Sequence, residues 1–244
     1  MNGLSSEPHD GRTSAGSYAI IRLIASLSLM TVGSVAMYVG VVGLKPIAAE
    51  FNVSRGIGSL PYALFMIGFG VGNIVYGRVA DRYGTMLPAL VGSVALPAGL
   101  ILAARADSLW QFLAAIALLA GTMGSSAVFA PIVADVSYWF TARRGFAVAI
   151  VLTGSYFAGA IWPPILQYLI SENDWRNAFT TIGYFCLATM GPLSIVLYRK
   201  PPHLAAKESK PREHRFTRPL NLSPNTLQCV ICLAGIGCCV GMSM

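Results

Sequence analysis

Seven long stretches without a charged side chain limit what this chain can fold into. Each stretch contains at least 22 residues. Because an α-helix rises about 1.5 Å per residue and the hydrocarbon core of a bilayer is about 30 Å thick, roughly 20 apolar residues are enough to cross it. The sequence therefore predicts an all-α membrane protein. The runs are 23–44, 56–77, 83–104, 108–134, 145–171, 177–198 and 219–244.

One polar segment, YRKPPHLAAKESKPREHRFTRP at 198–219, separates the sixth run from the seventh. Its prolines and alternating charges are typical of a segment that does not pack into a core. We expect a linker there, so that the chain corresponds to the first half of a larger protein. The expected domains are a cytoplasmic tail at 1–17, a six-helix transmembrane bundle at 18–198, a cytoplasmic linker at 199–220, and the start of a second bundle, with a seventh transmembrane helix, at 221–244.

The lysines and arginines are divided unequally between the two sides of the predicted membrane. With the amino terminus in the cytoplasm, 13 of the 17 fall on the cytoplasmic side. The positive-inside rule therefore predicts a multi-pass protein of a plasma or inner membrane with a cytoplasmic amino terminus. The 13 are Arg12, Arg22, Arg78, Arg82, Arg143, Arg144, Arg199, Lys200, Lys207, Lys210, Arg212, Arg215 and Arg218, and the other four are Lys45, Arg55, Arg105 and Arg176.

Several function classes are disfavoured by the same distribution. The net charge of +7 reflects topology, and the basic residues of 199–218 suit anionic lipid headgroups better than nucleic acid, so no nucleic-acid partner is expected. An intramembrane enzyme would need a nucleophile and a base at membrane depth, yet all three histidines lie in the tail or the linker. Cys229 and Cys232 have a zinc-ligand spacing but no second pair nearby, so we expect no metal and no cofactor.

A charged segment, GRVADRYGTM at 77–86, connects the second and third runs. It resembles the signature between helices 2 and 3 of the major facilitator superfamily, Gly-x-Leu-Ala-Asp-Arg-x-Gly-Arg-Arg. Thr85 and Met86 replace the two trailing basic residues. The residues in register with the signature are Gly77, Ala80, Asp81, Arg82 and Gly84.

Two later segments resemble one branch of that superfamily, the oxalate/formate antiporter and monocarboxylate transporter group. YWFTARRGFAVAIVLTGSYFAG at 138–159 is similar to the group's Trp-Phe-x-x-Arg-Arg-Gly-x-Ala at the start of helix 5. DWRNAF at 174–179 is similar to its Gly-Trp-Arg-x-x-Phe before helix 6, with Asp174 in place of glycine. The acidic-glycine-aromatic signature that precedes helix 1 in animal monocarboxylate carriers is absent from SAGSYAIIRL at 14–23.

The resemblance implies a six-helix amino-terminal bundle built as a 3+3 inverted repeat, in a secondary transporter that works by alternating access. It implies a small organic anion as substrate, a monocarboxylate or dicarboxylate, carried by proton symport or anion exchange. The implied partners are a coupling proton or counter-anion, the lipid bilayer and a missing carboxy-terminal six-helix half. The alternative is a truncated, non-transporting fragment, or a half-carrier that needs a second polypeptide.

Glycines in the second and fifth runs are consistent with such a repeat, because small residues let membrane helices approach closely. If the two runs are equivalent, these glycines should make equivalent helix contacts. They are Gly68, Gly70, Gly72 and Gly77 in the second run, and Gly154 and Gly159 in the fifth.

In the superfamily the aspartate of the signature caps a helix of the other half and pairs with arginine while the cytoplasmic side is closed. The resemblance therefore implies that Asp81 is a latch between two moving halves. The alternative is that the charges of this segment only terminate a helix and orient it. We also expect a gate-side ion pair between Asp135 and Arg143 or Arg144, with a proton-carrying acid as the alternative for Asp135.

A polar stripe in the first run is the first candidate for substrate binding. Thr31, Ser34, Tyr38 and Lys45 lie three, four and seven residues apart, which places them on one helical face. An ammonium group near the outer end would attract a carboxylate, and the monocarboxylate carriers have a lysine in the corresponding region. The alternative is a lysine that snorkels to the interface and is held by Glu50 or by headgroups.

The fourth and fifth runs supply further candidates. Thr122, Ser125 and Phe129 are predicted to share a face of the fourth helix, and Ser155 and Trp162 a face of the fifth. Hydroxyls and aromatic edges suit a small polar substrate. The alternative is that these hydroxyls bond their own backbone or line a helix contact.

Overall fold

The computed structural model describes residues 10–140, 143–172 and 174–197. Within these ranges every regular element is a helix, and six helical segments are long and apolar enough to cross a bilayer. The predicted fold class is therefore confirmed. The predicted linker and seventh helix lie outside the described residues, and the domain boundaries stay predictions. The spans are span 1 (Tyr18–Val42), span 2 (Gly56–Tyr83), span 3 (Met86–Ala104), span 4 (Leu109–Trp139), span 5 (Arg144–Glu172) and span 6 (Trp175–Val196).

Spans 1 and 4 are less regular than the other four. Span 1 is interrupted at Ser34 and is followed, after Gly43, by a short outer helix. Span 4 contains 11 residues of π-helix, a wider form that occurs often at functional sites. The helices are Asp10–Gly33, Val35–Val42, Leu44–Glu50, Arg55–Gly58, Leu60–Tyr83, Met86–Ala104, Leu109–Ala114, the π-helix Ala115–Ser125, Ser126–Trp139, Arg144–Glu172 and Trp175–Val196.

Two groups of side-chain contacts define the two ends of the bundle. At one end, the Thr85 hydroxyl before span 3 donates to Asp135 Oδ1 of span 4 at 3.0 Å. We call this the Gly84 end, after the glycine that ends the span 2 helix. At the other end, Arg176 of span 6 pairs with Glu50, which follows span 1. We call this the Glu50 end, and consecutive spans run between the two ends in alternating directions.

The packing of the spans has the symmetry of an inverted repeat. Span 2 packs on span 4 and span 5 packs on span 1, while span 3 packs on span 4 and span 6 on span 1. Spans 3 and 6 also contact each other. Exchanging spans 1, 2 and 3 with spans 4, 5 and 6 leaves this contact pattern unchanged. Because spans 1 and 4 begin at opposite ends of the bundle, the two triplets are inverted relative to each other, as in a 3+3 inverted repeat.

Glycines allow the contact between spans 2 and 4. A Cβ atom on Gly68 would lie 2.5 Å from the Ala117 carbonyl oxygen, and one on Gly72 would overlap Ser126 Oγ. Such distances are below van der Waals contact, so only glycine permits the backbones to approach this closely. In contrast, Gly70 and Gly77 have no neighbouring atom within 4 Å of that position.

The equivalent contact between spans 5 and 1 uses glycines in the same way. A Cβ atom on Gly154 would lie 2.8 Å from the Leu27 carbonyl oxygen, and one on Gly159 would lie 2.7 Å from the Tyr38 hydroxyl. Gly68 and Gly72 of the second run and these two glycines of the fifth thus make equivalent contacts, as the proposed repeat requires, whereas Gly70 and Gly77 do not take part.

Replacing Gly72 by leucine should destabilise the bundle by about 1 to 3 kcal/mol, because the new side chain must displace Ser126 and the backbone of span 4. The same substitution at Gly70 is the matched control, since it enters open space two residues away. Reversible unfolding in mixed detergent micelles measures both. Equal losses at the two positions would show that the glycine contact is not what holds span 2 on span 4.

Candidate functional site

Three of the predicted substrate residues meet between spans 1 and 5. Ser34 Oγ lies 3.5 Å from Ser155 Oγ, and the Tyr38 hydroxyl donates to the Ser155 carbonyl oxygen at 3.4 Å. These distances exceed the roughly 2.5–3.0 Å of ordinary O–H···O bonds. All three residues are partly buried. We call Ser34, Tyr38 and Ser155 the polar contact. Because its hydrogen bonds are long, replacing them by hydrogen bonds to a bound ligand costs little net free energy.

Thr31 and Trp162 lie next to the polar contact and hold the two spans together. The Trp162 indole N–H donates to the Thr31 carbonyl oxygen at 2.8 Å. The hydroxyl of Thr31 donates to Leu27 O at 2.9 Å, and that of Ser34 to Met30 O at 2.7 Å. Both hydroxyls thus bond the backbone of their own helix, as serine and threonine often do within helices.

The predicted shared face of span 4 is wrong for Ser125, whereas Thr122 and Phe129 both face span 2. The Ser125 hydroxyl donates to the Gly33 carbonyl oxygen of span 1 at 2.8 Å, and Ser125 is buried. The Thr122 hydroxyl instead donates to Ala117 O, five residues earlier, and lies beside Gly68 of span 2. The cause is the π-helix, whose wider turn rotates residues three apart further from each other than an α-helix does.

Lys45 lies in the outer helix at the Glu50 end and is exposed. It forms no ion pair with any described residue. The alternative partner expected for it, Glu50, is bonded to Arg176 and Trp175 instead. The ammonium group of Lys45 is thus left uncompensated within the described part of the chain.

An ionic cluster closes the Glu50 end. Arg176 bonds Glu50 Oε1 through Nη2 at 2.7 Å and through Nε at 3.0 Å, and the Trp175 indole N–H donates to Glu50 Oε2. The same guanidinium also donates to the carbonyl oxygens of Ala104, the last residue of span 3, at 2.7 Å and of Ala106, just after it, at 2.9 Å. Spans 1, 3 and 6 are therefore tied together at this end.

A second cluster, at the Gly84 end, is buried. Arg22 and Asp135 are each 1% exposed, and Arg22 bonds Asp135 in a bidentate manner, with Nε to Oδ2 at 2.6 Å and Nη2 to Oδ1 at 2.8 Å. Arg22 Nη2 also donates to Leu197 O at 3.2 Å, and Asp135 Oδ1 accepts from Thr85. The guanidinium carbon lies 4.9 Å from the centre of the Trp139 ring. Each ion thus has partners beyond its counter-ion, which a buried pair requires.

The predicted ion pair between Asp135 and one of the two following arginines is therefore wrong. Asp135 pairs with Arg22, which lies 113 residues earlier in the sequence, and not with the nearby Arg143 or Arg144. Arg143 and Arg144 are both exposed, and Arg144 Nη2 donates to Ser137 Oγ at 3.1 Å. Both oxygens of Asp135 are already occupied by Arg22, one of them also by Thr85, so neither loop arginine is needed to neutralise it.

The signature residues lie at the exposed Gly84 end. Asp81 and Arg82 are exposed and make no ion pair or side-chain hydrogen bond with another described residue. Gly84 has φ +85°, a conformation that favours glycine, and its N–H bonds Ala80 O at 2.9 Å, which ends the helix. Gly77 is partly buried with open space beside it. The role of these residues as a gate stays a prediction.

Arg22, Thr85 and Arg176 were not among the candidate residues from the sequence. Arg22 immediately precedes the first uncharged run, so the charge pattern places it among the loop residues although it lies inside span 1. The available signal was its position four residues after Tyr18, within apolar sequence, where a charge needs a buried partner. Asp135 is the matching charge inside another span.

The fold and the two ionic clusters define a multi-pass helical membrane protein whose charges are concentrated at the two ends of its helices. Residues 24–244 match the sequence profile of the Major Facilitator Superfamily. This match covers most of the sequence, and the chain belongs to the Major Facilitator Superfamily. The resemblance first seen at residues 77–86 is confirmed.

Individual relatives in the superfamily are named as transporters. The chain is 32% identical to the MFS-type transporter pytF of Aspergillus terreus over 63% of its own length and 51% of that protein. It is 29% identical to monocarboxylate transporter 12 of Rattus norvegicus, over 61% of this chain and 31% of that protein. It is 30% identical to the riboflavin transporter MCH5 of Saccharomyces cerevisiae, over 64% and 31%. The chain thus spans about half the length of the first relative, and less of the other two.

Proposed function

We propose that this chain is part of a secondary active transporter that carries a small organic anion, a monocarboxylate or dicarboxylate, by alternating access. Its membership of the superfamily and its similarity to proteins named as transporters support transport rather than catalysis. The coupling is proton symport or anion exchange. The names of the relatives include both monocarboxylate and riboflavin transporters, so the anionic substrate rests on the residues of this chain.

The polar contact is the observation that carries this proposal. It lies within the membrane-spanning part of the bundle, between spans 1 and 5, and its hydrogen bonds are long. A polar substrate can bind there by replacing weak bonds with normal ones, because an exchange of hydrogen bonds costs little net free energy. Trp162 and Thr31 fix the position of the two spans on either side of it.

Lys45 supplies the charge preference. Its ammonium group is exposed and uncompensated at the Glu50 end, which makes it a site of attraction for a carboxylate that enters from that side. Thr122 and Ser125 of span 4 remain predicted substrate residues. Thr122 lies beside span 2 and Ser125 beside span 1.

The substrate path requires a second six-helix half. In a carrier of this type the binding site lies between two halves that move against each other. Asp81 is the proposed latch between them, because its carboxylate is exposed at the Gly84 end, without a counter-charge among the described residues, and can pair with a group on the other half. Gly77 offers the open surface beside it.

The Gly84 end is the proposed cytoplasmic end, in a plasma or inner membrane. The distribution of 13 lysines and arginines on that side against four on the other supports this orientation. The amino terminus is then cytoplasmic as well, since span 1 begins at the same end as the span 2–3 connection.

Replacing Lys45 by alanine should reduce uptake of labelled lactate, formate or oxalate into proteoliposomes by about tenfold, because loss of one charge-assisted contact costs on the order of 1.5 kcal/mol. The assay uses the full-length gene product. Lys45→Arg should retain most of the activity. Arg105→Ala removes an exposed cation from the same end and is the control. Unchanged uptake by Lys45→Ala would reject the role of Lys45.

A cysteine at position 80, in a chain without its five native cysteines, should react with a membrane-impermeant maleimide from the cytoplasmic side only. Asp107→Cys, at the Glu50 end, should show the opposite sidedness. Adding Asp81→Asn should speed labelling at position 80, because a broken latch leaves the Gly84 end open more often. Labelling of position 80 from outside the cell would contradict the orientation, and an unchanged rate with Asp81→Asn would contradict the latch.

A further inference from the structure

A cleft of about 770 Å³ opens between spans 2, 4 and 5 toward the Gly84 end. Span 4 contributes most of its lining, Asn73 lines it from span 2, and Arg144 and Leu152 line it from span 5. It is separate from the polar contact, which contains no lining residue of this cleft. A cleft of this size is in the range of small-molecule sites.

Arg144 places an uncompensated positive charge at the cleft. Its guanidinium is held in position by Ser137, whose Oγ accepts from Nη2 at 3.1 Å. Asp135 of span 4 does not pair with the Arg144 guanidinium, because the oxygens of Asp135 are bonded to Arg22 and Thr85. No other carboxylate pairs with Arg144 among the described residues.

Two other polar groups of the cleft, the Asn73 amide and the Ser137 hydroxyl, are already bonded, whereas the Tyr138 hydroxyl makes no hydrogen bond with a described residue. The Asn73 amide donates to Phe69 O at 2.8 Å and accepts from the Ala130 N–H at 3.3 Å. The Ser137 hydroxyl donates to Ala134 O at 2.7 Å. Apolar side chains make up most of the rest. A ligand in this cleft therefore meets one cation, the Tyr138 phenol and a largely hydrocarbon surface.

We propose that this cleft is a second anion subsite, in which Arg144 binds the carboxylate of the substrate and the apolar walls contact its hydrocarbon part. This inference rests on the proposed transport function and specifies the substrate class: carboxylates with an apolar body. An anionic substrate would then meet one cationic side chain at each end of the bundle, Lys45 at the Glu50 end and Arg144 at the Gly84 end. The subsite also gives Arg144 a role other than pairing with Asp135.

Equilibrium binding of radiolabelled benzoate to the purified full-length gene product, the protein used in the uptake assay, tests the subsite. Benzoate is suitable because it joins a carboxylate to an apolar ring. Arg144→Gln should weaken benzoate binding by about tenfold or more, whereas Arg144→Lys should weaken it less, because the charge remains. Arg143→Gln is the matched control, as Arg143 is the neighbouring arginine and does not line the cleft. Benzyl alcohol and benzylamine, which lack the negative charge, should compete poorly for the bound benzoate.

A second variant keeps the test decisive if Arg144→Gln does not fold. Leu152→Trp leaves Arg144 in place and fills part of the cleft, so it should also weaken benzoate binding by about tenfold or more. Benzoate affinity that is unchanged in either variant, or equal losses for Arg143→Gln and Arg144→Gln, would overturn the subsite. Slower exchange by Arg144→Gln with unchanged benzoate affinity would also overturn it and would assign Arg144 to a gate.

Uptake measured on the same preparations separates this inference from the proposed function. Uptake that depends on Lys45, together with benzoate binding that does not depend on Arg144, would refute the subsite and leave transport standing. Arg144-dependent binding without uptake of any carboxylate would support the subsite as an anion site and count against transport.

Discussion

A charged side chain within a bilayer is stable only when a counter-charge and hydrogen-bond partners replace the water it has lost. The Arg22–Asp135 pair meets this requirement with groups from four parts of the bundle. Arg22 bonds the carbonyl of Leu197 at the carboxyl end of span 6, and Asp135 bonds Thr85, the residue before span 3. A cation near a helix carboxyl end and an anion near a helix amino end are each favoured by the helix dipole. The pair therefore fixes the relative positions of spans 1, 3, 4 and 6.

The two ionic clusters divide the bundle into a frame and two less constrained helices. The cluster at the Gly84 end joins spans 1, 3, 4 and 6, and the one at the Glu50 end joins spans 1, 3 and 6. Neither includes a residue of span 2 or span 5. Those two spans are held chiefly by close glycine contacts. They carry the signature segment, Ser155 of the polar contact and two walls of the cleft. The residues proposed to act in transport thus lie on or beside helices that the ionic frame leaves out.

The sequence was sufficient to predict the six spans, because run length against bilayer thickness is a one-dimensional criterion. It also predicted that Ser34 and Tyr38 share a face, since residues three and four apart do so in an α-helix, but not that this face contacts Ser155. It could not predict that Thr122 and Ser125 diverge, because the π-helix that separates them depends on the packing of span 4 against its neighbours. The sequence also could not predict that Asp135 pairs with Arg22. The two residues are 113 positions apart, and sequence proximity favoured a pair with Arg143 or Arg144.

The most direct test of this account is a double-mutant cycle on the buried pair, measured by reversible unfolding of the chain in mixed micelles. Arg22→Met and Asp135→Leu should each reduce the free energy of unfolding by about 3 to 5 kcal/mol, because each leaves one buried charge without its partner. The double variant should lose far less than the sum of the two, since two apolar side chains then replace two ions. Arg78→Met, which removes an exposed arginine bonded only to its own backbone, is the control and should change little. Additive losses, or losses no larger than that of the control, would contradict the claim that this ion pair holds the bundle together.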